Sequence, residues 1–264
     1  VGLDANLLGR LSDPENWERS RGLPSSIELA RHLSRKFAYP LSDTPDLARI
    51  AQYSIASDQL ADLDDEISNI FVDATRKPTA LHTMIADIAL KVAEEGKKES
   101  STFLHCVKDS LLTRFIVVTT GYDNLFESAF IDRVRNFHVL SYTARGTDKG
   151  RFLHVEYADS KPSSTPVVIS SPNDYNGMAD NNPIILKLPG TVETSSPSFA
   201  ISEDDFFDYL TNRELTRLLP SVITGKLKKS SLLFLGYSVM SGICAHYCIV
   251  FGKITRHIAN PGPS

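Results

Sequence analysis

The stretch FIVVTTGYDNLFESAF, residues 115–130, ends an apolar run at Thr119 and Thr120 and follows it with Gly121 and Asp123. Two more apolar runs end in the same way. NPIILKLPGT closes on Pro189, Gly190 and Thr191, and SLLFLGYSV closes on Gly236, Tyr237 and Ser238. A glycine at such an end lets a ligand approach the backbone, while hydroxyls and backbone N–H groups hydrogen-bond phosphates or ribose. In an open parallel sheet, ligands bind outside the carboxyl ends of the strands. Three such ends, with Gly2 in the opening VG as a fourth, converge on a nucleotide-sized site. Ordinary strand-to-helix turns are the competing reading, and pattern alone leaves both open.

The elements that must position these ends alternate. After the opening VG, which reads as the tail of a strand, LPSSIELARHLSRKF forms a helix with Ser25 and Glu28 as a capping box. DTPDLARIAQYSIAS forms a second, with Thr44 as N-cap and Pro45 at the first helical position. Apolar residues at helical spacing give a third through Leu60, Leu63, Ile67, Ile70 and Phe71, and a fourth through Leu81, Met84, Ile85, Ile88 and Val92. Residues 25–95 thus form a helical insert ahead of the strand at 114–119. Strands follow at 137–142, 151–157, 166–170 and 182–190. ISEDDFFDYL starts a helix capped by Ser202 and Asp205, with its acids complementing the helix N-terminus rather than binding metal. A helix interrupted at Pro220, a core strand running into Gly236 and a closing helix over 246–258 complete the chain. The expected fold is α/β: a Rossmann-like, mainly parallel sheet with helices on both faces.

Composition bounds the function classes. The 264 residues are 42% hydrophobic and 23% charged, as in a soluble protein with a sizeable core. The formal net charge of −4, with basic residues clustered only at 225–230, gives no nucleic-acid footprint. No apolar run reaches the ~18 residues of a membrane span. Cys106, Cys244 and Cys248 lack C-x-x-C pairing, which excludes a four-cysteine zinc module within the chain; Cys244 and Cys248, four apart near His246, read as small buried residues of a helix. A reducing cytoplasm fits this cysteine usage. The acidic run ADLDDE at 61–66 reads as a solvated helix face.

Taken together, TTGYDNLFESAF, KLPGTVE followed by SFAISEDDFFDYL, and LLFLGYS resemble the sirtuin-like (silent-information-regulator-like) domains of prokaryotic anti-phage proteins. GLPSSIELARHL, DLARIAQY and PTALH extend the resemblance over nearly the whole chain. It implies a Rossmann-like NAD-binding domain, within a longer multidomain protein, of a lineage that hydrolyses NAD to nicotinamide and ADP-ribose. Thr120 and Asp123 match the T-T-N-Y-D motif, with Asp123 facing the nicotinamide end. Gly190 matches the H-G turn. Gly236, Tyr237 and Ser238 match the G-Y-S turn that holds the adenosine half, and Gly2 matches a glycine of the opening turn. No metal is implied. A homo-oligomer, or a sensor domain or partner protein, is.

Two departures bear on activity. Gly121 stands where the family has the asparagine that orients the nicotinamide ribose and the attacking water. Pro189 stands where it has the histidine that acts as a base or polarises a ribose hydroxyl. Neither residue can exchange a proton. The expectation is therefore a domain that binds NAD or ADP-ribose with weak or no turnover. The alternatives are an active NAD glycohydrolase using Asp123 with a substitute such as His154, and a purely structural or oligomerisation module. Deacylation is the most distant reading, because zinc-binding cysteines are lacking. His82 reads as structural.

Overall fold

The computed structural model describes residues 1–40, 45–72, 76–95, 115–163, 165–178, 180–192, 198–211, 218–230 and 233–236. Within them lie helices α1 (Ser26–Lys36), α2 (Leu47–Ala56), α3 (Leu60–Phe71) and α4 (Ala80–Glu95), then strand β1 (Ile116–Thr119) and helix α5 (Leu125–Arg133). Strands β2 (Phe137–Thr143), β3 (Arg151–Ala158), β4 (Lys161–Pro162), β5 (Val167–Ile169) and β6 (Ile184–Lys187) follow. A two-stranded ribbon, β7 (Gly190–Thr191) with β8 (Ser198–Phe199), precedes α6 (Glu203–Thr211) and α7 (Ser221–Lys229).

The central sheet runs β1-β6-β2-β3-β4, with β5 also paired to β3. β1, β6 and β2 are parallel, with β1 at one end of the order. β3 returns antiparallel to β2 because residues 144–150 are too few for a crossover, which needs about a dozen. Both faces are covered. Val117, Val139 and Ile185 pack against Ile85, Ala89, Phe126 and Phe130 of α4 and α5. Leu140, Ile184 and Leu186 pack against Phe206 of α6 and Ile223 and Leu227 of α7. The chain is therefore mixed α/β, as the alternation of apolar runs and helical periods predicts.

The helical insert divides in two. α1, α2 and α3 share a core with Trp17, Tyr122, Leu125, Val192 and Phe199, so this bundle sits on residues just beyond the ends of β1 and β6. α4 instead lies along α5 on a sheet face. The α1 capping box forms as expected, with Ser25 Oγ accepting from the Glu28 N–H and Glu28 Oε2 accepting from the Ser25 N–H. α2 begins later than the proline signal suggests. Thr44 lies outside the described residues, Pro45 precedes the helix, and Asp46 is the N-cap, accepting from the Arg49 N–H at 3.1 Å. Pro220 falls at a helix break, as expected: Leu218 is helical, and α7 restarts at Ser221 with Pro220 as its N-cap. Residues 233–236, expected as strand, are irregular, because the chain turns at Gly236 with φ +64°. The closing helix and all three cysteines lie outside the described residues.

The run at 61–66 is not a uniformly solvated face. Glu66 is buried and receives Arg19 at 2.8 Å, His32 at 2.7 Å and Lys36. Burial alone would raise its pKa, but the hydrogen bonds from Lys36, His32 and Arg19 outweigh that and bring it to about 2. Asp64 pairs with Arg145, whose guanidinium lies 5.2 Å from the centre of the Phe199 ring. Asp62 and Asp65 are exposed, as expected. The Ser202–Asp205 cap forms: Asp205 Oδ2 accepts from the Ile201 and Ser202 N–H groups, each at 3.0 Å.

Candidate functional site

Parallel pairing sets Thr119, Lys187 and Ser141 side by side at the carboxyl ends of β1, β6 and β2. Residues paired across neighbouring strands point to one face, so the rim there carries a hydroxyl, an ammonium and a second hydroxyl in a row. All three are buried. Lys187 Nζ donates to the Asp123 carbonyl at 2.7 Å, to Glu127 Oε1 at 2.8 Å and to Thr191 Oγ1 at 3.4 Å. It thereby ties the end of β6 to the start of α5. Asp123 itself is 8% exposed, and its Oδ1 accepts from the Leu125 N–H at 3.0 Å, which fixes the carboxylate at that helix start.

The opening residues lie along the other side of β1. The Thr120 N–H donates to the Val1 carbonyl at 3.0 Å, and the Gly2 N–H donates to the Leu235 carbonyl at 2.8 Å. The Asp4 N–H then donates to the Gly236 carbonyl at 3.0 Å. On the β6 side, the Leu188 N–H donates to the Thr119 carbonyl at 3.1 Å. Gly2, Thr120, Gly236 and the 188–191 turn therefore share one end of the sheet. Tyr237 and Ser238 lie outside the described residues.

The glycines at this end differ in what they do. Gly190 has φ +98°, and a Cβ there would stand 2.1 Å from the Ser198 carbonyl oxygen. At Gly236 a Cβ would stand 2.2 Å from the Ala5 nitrogen. Both lack a side chain because another backbone passes close by. Gly121 is not in the left-handed region, and its Cβ position lies 3.0 Å from Asp123 Oδ2 and 3.3 Å from Thr119 Oγ1. A side chain at 121 would thus stand against the Asp123 carboxylate. Pro189 is buried, and its carbonyl accepts from the Ala200 N–H at 2.6 Å. Tyr122 turns away into the helical bundle, where its hydroxyl donates to the Ala200 carbonyl at 3.2 Å.

His154 is not brought to this end. It lies on β3, three strands from β1, or about 14 Å at the usual strand spacing. It is buried, with Nδ1 2.5 Å from the Tyr175 hydroxyl and Nε2 3.0 Å from His138 Nδ1. Burial first, and His138 second, push its pKa down to about 4 against the pull of Asp180. His82 is the histidine that the fold does bring close. It is buried in the first turn of α4, its Nδ1 is 2.7 Å from Thr79 Oγ1, and its ring centre is 4.5 Å from that of Phe126. Burial lowers its pKa, and the charge of Asp123 opposes that shift. Lys187, Ser141, Glu127 and His82 were not singled out as site residues by sequence pattern. The Thr-x-x-His spacing in PTALH was the available signal for the last of them.

The rim at the ends of β1, β6 and β2 is polar and buried, and the N–H groups of Gly2 and Thr120 beside it are taken by the Leu235 and Val1 carbonyls. A SIR2-like domain is found at residues 116–242, a span that takes in β1, the Lys187 rim and Gly236. SIR2-like domains bind NAD, so the matched family and the polar strand ends point to the same ligand class. No curated protein matches the chain. Among the described residues, no cluster of His, Cys, Asp and Glu could hold a metal ion, and no helix is long and apolar enough to cross a membrane.

Proposed function

We propose that this domain binds NAD or ADP-ribose at the shared ends of β1 and β6 and turns NAD over weakly or not at all. The observation that carries the reading is the convergence of Gly2, Thr120, Gly236 and the 188–191 turn above the buried Thr119–Lys187–Ser141 rim. Gly2, Thr120 and Gly236, with Tyr237 and Ser238, would hold the adenosine half and the ribose, and Asp123 would face the nicotinamide. Breaking the nicotinamide–ribose bond requires a placed water and a group to take its proton. Gly121 and Pro189 supply neither. The setting that the resemblance supplies is a cytoplasmic anti-phage effector acting as an oligomer or with a sensor domain. A second reading, slow hydrolysis with Asp123 as the proton acceptor, is favoured by its Oδ2 lying 3.0 Å from where a side chain at the bare Gly121 would stand.

Thermal unfolding tests the binding. A ligand that prefers the folded state stabilises it by about 2.7 kcal/mol at a hundredfold excess over its dissociation constant. For a domain of this size that is a rise of roughly 5–10 °C in melting temperature. Thr120→Trp should abolish the rise by filling the rim. Asp62→Asn, at an exposed position, should leave it intact. No rise and no heat of binding with either NAD or ADP-ribose would leave assembly as the remaining role.

A further inference from the structure

One guanidinium stands where the helical bundle, the sheet and the β7–β8 ribbon meet. Arg145 lies just beyond the end of β2, and its backbone is fastened to Ser198 of β8. The Arg145 N–H donates to Ser198 Oγ at 2.9 Å, and Ser198 Oγ donates to the Arg145 carbonyl at 3.4 Å. The fixed main chain aims the side chain. Nη1 donates to both carboxylate oxygens of Asp64 on α3, to Oδ2 at 2.6 Å. The guanidinium carbon lies 5.2 Å from the centre of the Phe199 ring. Nη2 is buried, 3.8 Å from Asp205 Oδ2 in the first turn of α6, and has no hydrogen-bond partner among the described residues. One side chain thus meets α3, β8 and α6 while its backbone leaves β2.

β8 carries that hold to both turns of the candidate site. Ser198 and Phe199 pair with Thr191 and Gly190 of β7, and the Ala200 N–H donates to the Pro189 carbonyl at 2.6 Å. β2 bounds the same turn closely, since a Cβ at Gly190 would stand 2.7 Å from the Tyr142 carbonyl oxygen. The loop after β1 is reached through Tyr122. Its ring centre lies 5.5 Å from that of Phe199 and 5.3 Å from that of Phe71, the last residue of α3. Its hydroxyl donates to the Ala200 carbonyl. Gly121 and Asp123 flank Tyr122 in the chain, so the seat of Phe199 bears on the loop that presents the Asp123 carboxylate.

We propose that Arg145 is a positioning residue for the candidate site. It holds β8, and through β8 the 188–191 turn and the Tyr122 loop, in a seat set by Asp64 of the helical bundle. The proposal rests on the reading that the ends of β1 and β6 bind NAD or ADP-ribose, and Arg145 acts there through Ser198 and Phe199 rather than on the ligand. Arginine suits the task because its planar fork offers donors in more than one direction while its face lies against an aromatic ring. The bonds to Asp64 decide the aim. Among the described residues, Asp205 is the other carboxylate paired with this guanidinium, so without Asp64 the side chain turns toward α6. A turn that holds its shape for only a fraction of the time lowers the apparent affinity in proportion to that fraction.

Amide exchange and NAD titration of the full chain test this in Arg145→Gln, in Asp64→Asn and in the double variant, at a temperature where each is folded. Exchange at Leu188 and Ala200, whose N–H groups donate to the Thr119 and Pro189 carbonyls, reads the turn. Exchange at Ile184, which donates to the Phe115 carbonyl, reads the sheet. In Arg145→Gln the opening constant at Leu188 and Ala200 should rise about tenfold with Ile184 unchanged, and the dissociation constant for NAD should rise by a like factor. Asp64→Asn should move both several-fold in the parent and add nothing in the Arg145→Gln background, because it acts through Arg145. A merely structural residue would lower the urea midpoint and leave the dissociation constant of the folded chain alone. Parent-like exchange at Leu188 and Ala200 in Arg145→Gln overturns the proposal, and so does a parent-like dissociation constant in a variant whose turn has opened. An Asp64→Asn effect that persists at full size without Arg145 overturns it as well. Where Arg145→Gln fails to fold, Asp64→Asn decides: parent-like exchange and affinity there reject the clamp. A parent chain that binds no NAD overturns the ligand reading instead, and exchange at Leu188 and Ala200 then decides the clamp alone.

Discussion

A Gly121→Asn, Pro189→His double variant is expected to release nicotinamide from NAD about 10²–10⁴-fold faster than the parent chain, the range a single placed acid–base group contributes. Position 121 admits the change. Its φ is not left-handed, and the nearest obstacle is the Asp123 carboxylate oxygen at 3.0 Å, a side-chain atom that can yield a few tenths of an ångström. The new amide would then lie beside that carboxylate, where it can orient a ribose hydroxyl or a water. Position 189 loses no donor, because proline has no N–H, and its φ near −65° is open to histidine. The imidazole would enter a buried turn, so it needs a polar partner there. Gly121→Asn alone should give a smaller gain in the same direction. A double variant that folds and binds NAD but releases no more nicotinamide than the parent would show that these two positions do not govern turnover.

Lys187→Met should cost about 3–5 kcal/mol of folding stability, the usual loss when one partner of a buried ion pair is removed. Lys187 is 1% exposed, and its ammonium serves the Glu127 carboxylate and the Asp123 carbonyl together. Glu127 Oε2 already lacks a hydrogen-bond partner among the described residues, so no second group stands ready to take over the charge. Out of a total of about 5–15 kcal/mol, that loss is a large fraction. Adding Glu127→Leu should recover much of it, because two apolar groups leave no buried charge unpaired. Urea denaturation of the single and double variants measures both quantities. A loss below about 1 kcal/mol for Lys187→Met would mean that the pair is solvated in solution.

What was legible in the sequence was local. The Ser25–Glu28 box and the Ser202–Asp205 cap are set by residues three apart, so the α1 and α6 starts could be read directly. The end of β1 at Thr119 was equally plain, because the apolar run stops there; β6 ends at Lys187, three residues short of the expected 190. Illegible were the features that depend on distant partners. β1 lies beside β6 although some sixty residues separate them, and that pairing puts Lys187 under Asp123. Glu66 looked solvated because Arg19, His32 and Lys36, which bury its charge, belong to other elements. His154 looked free to reach the strand ends because strand order cannot be read from a single run; β3 proved to be the antiparallel neighbour of β2. The glycines have a packing reason that the sequence did not show. Ser198 and Ala5 pass close to Gly190 and Gly236, a demand that a single sequence does not separate from that of a ligand-binding turn.

The most direct measurement is a crystal of this chain soaked briefly with NAD, because it reads the place of the ligand and the integrity of its bond together. A dinucleotide lying along Gly2, Thr120 and Gly236 with its nicotinamide–ribose bond intact is the expected result. No ligand at these strand ends at saturating NAD would contradict the binding reading, and ADP-ribose alone there would contradict the loss of turnover.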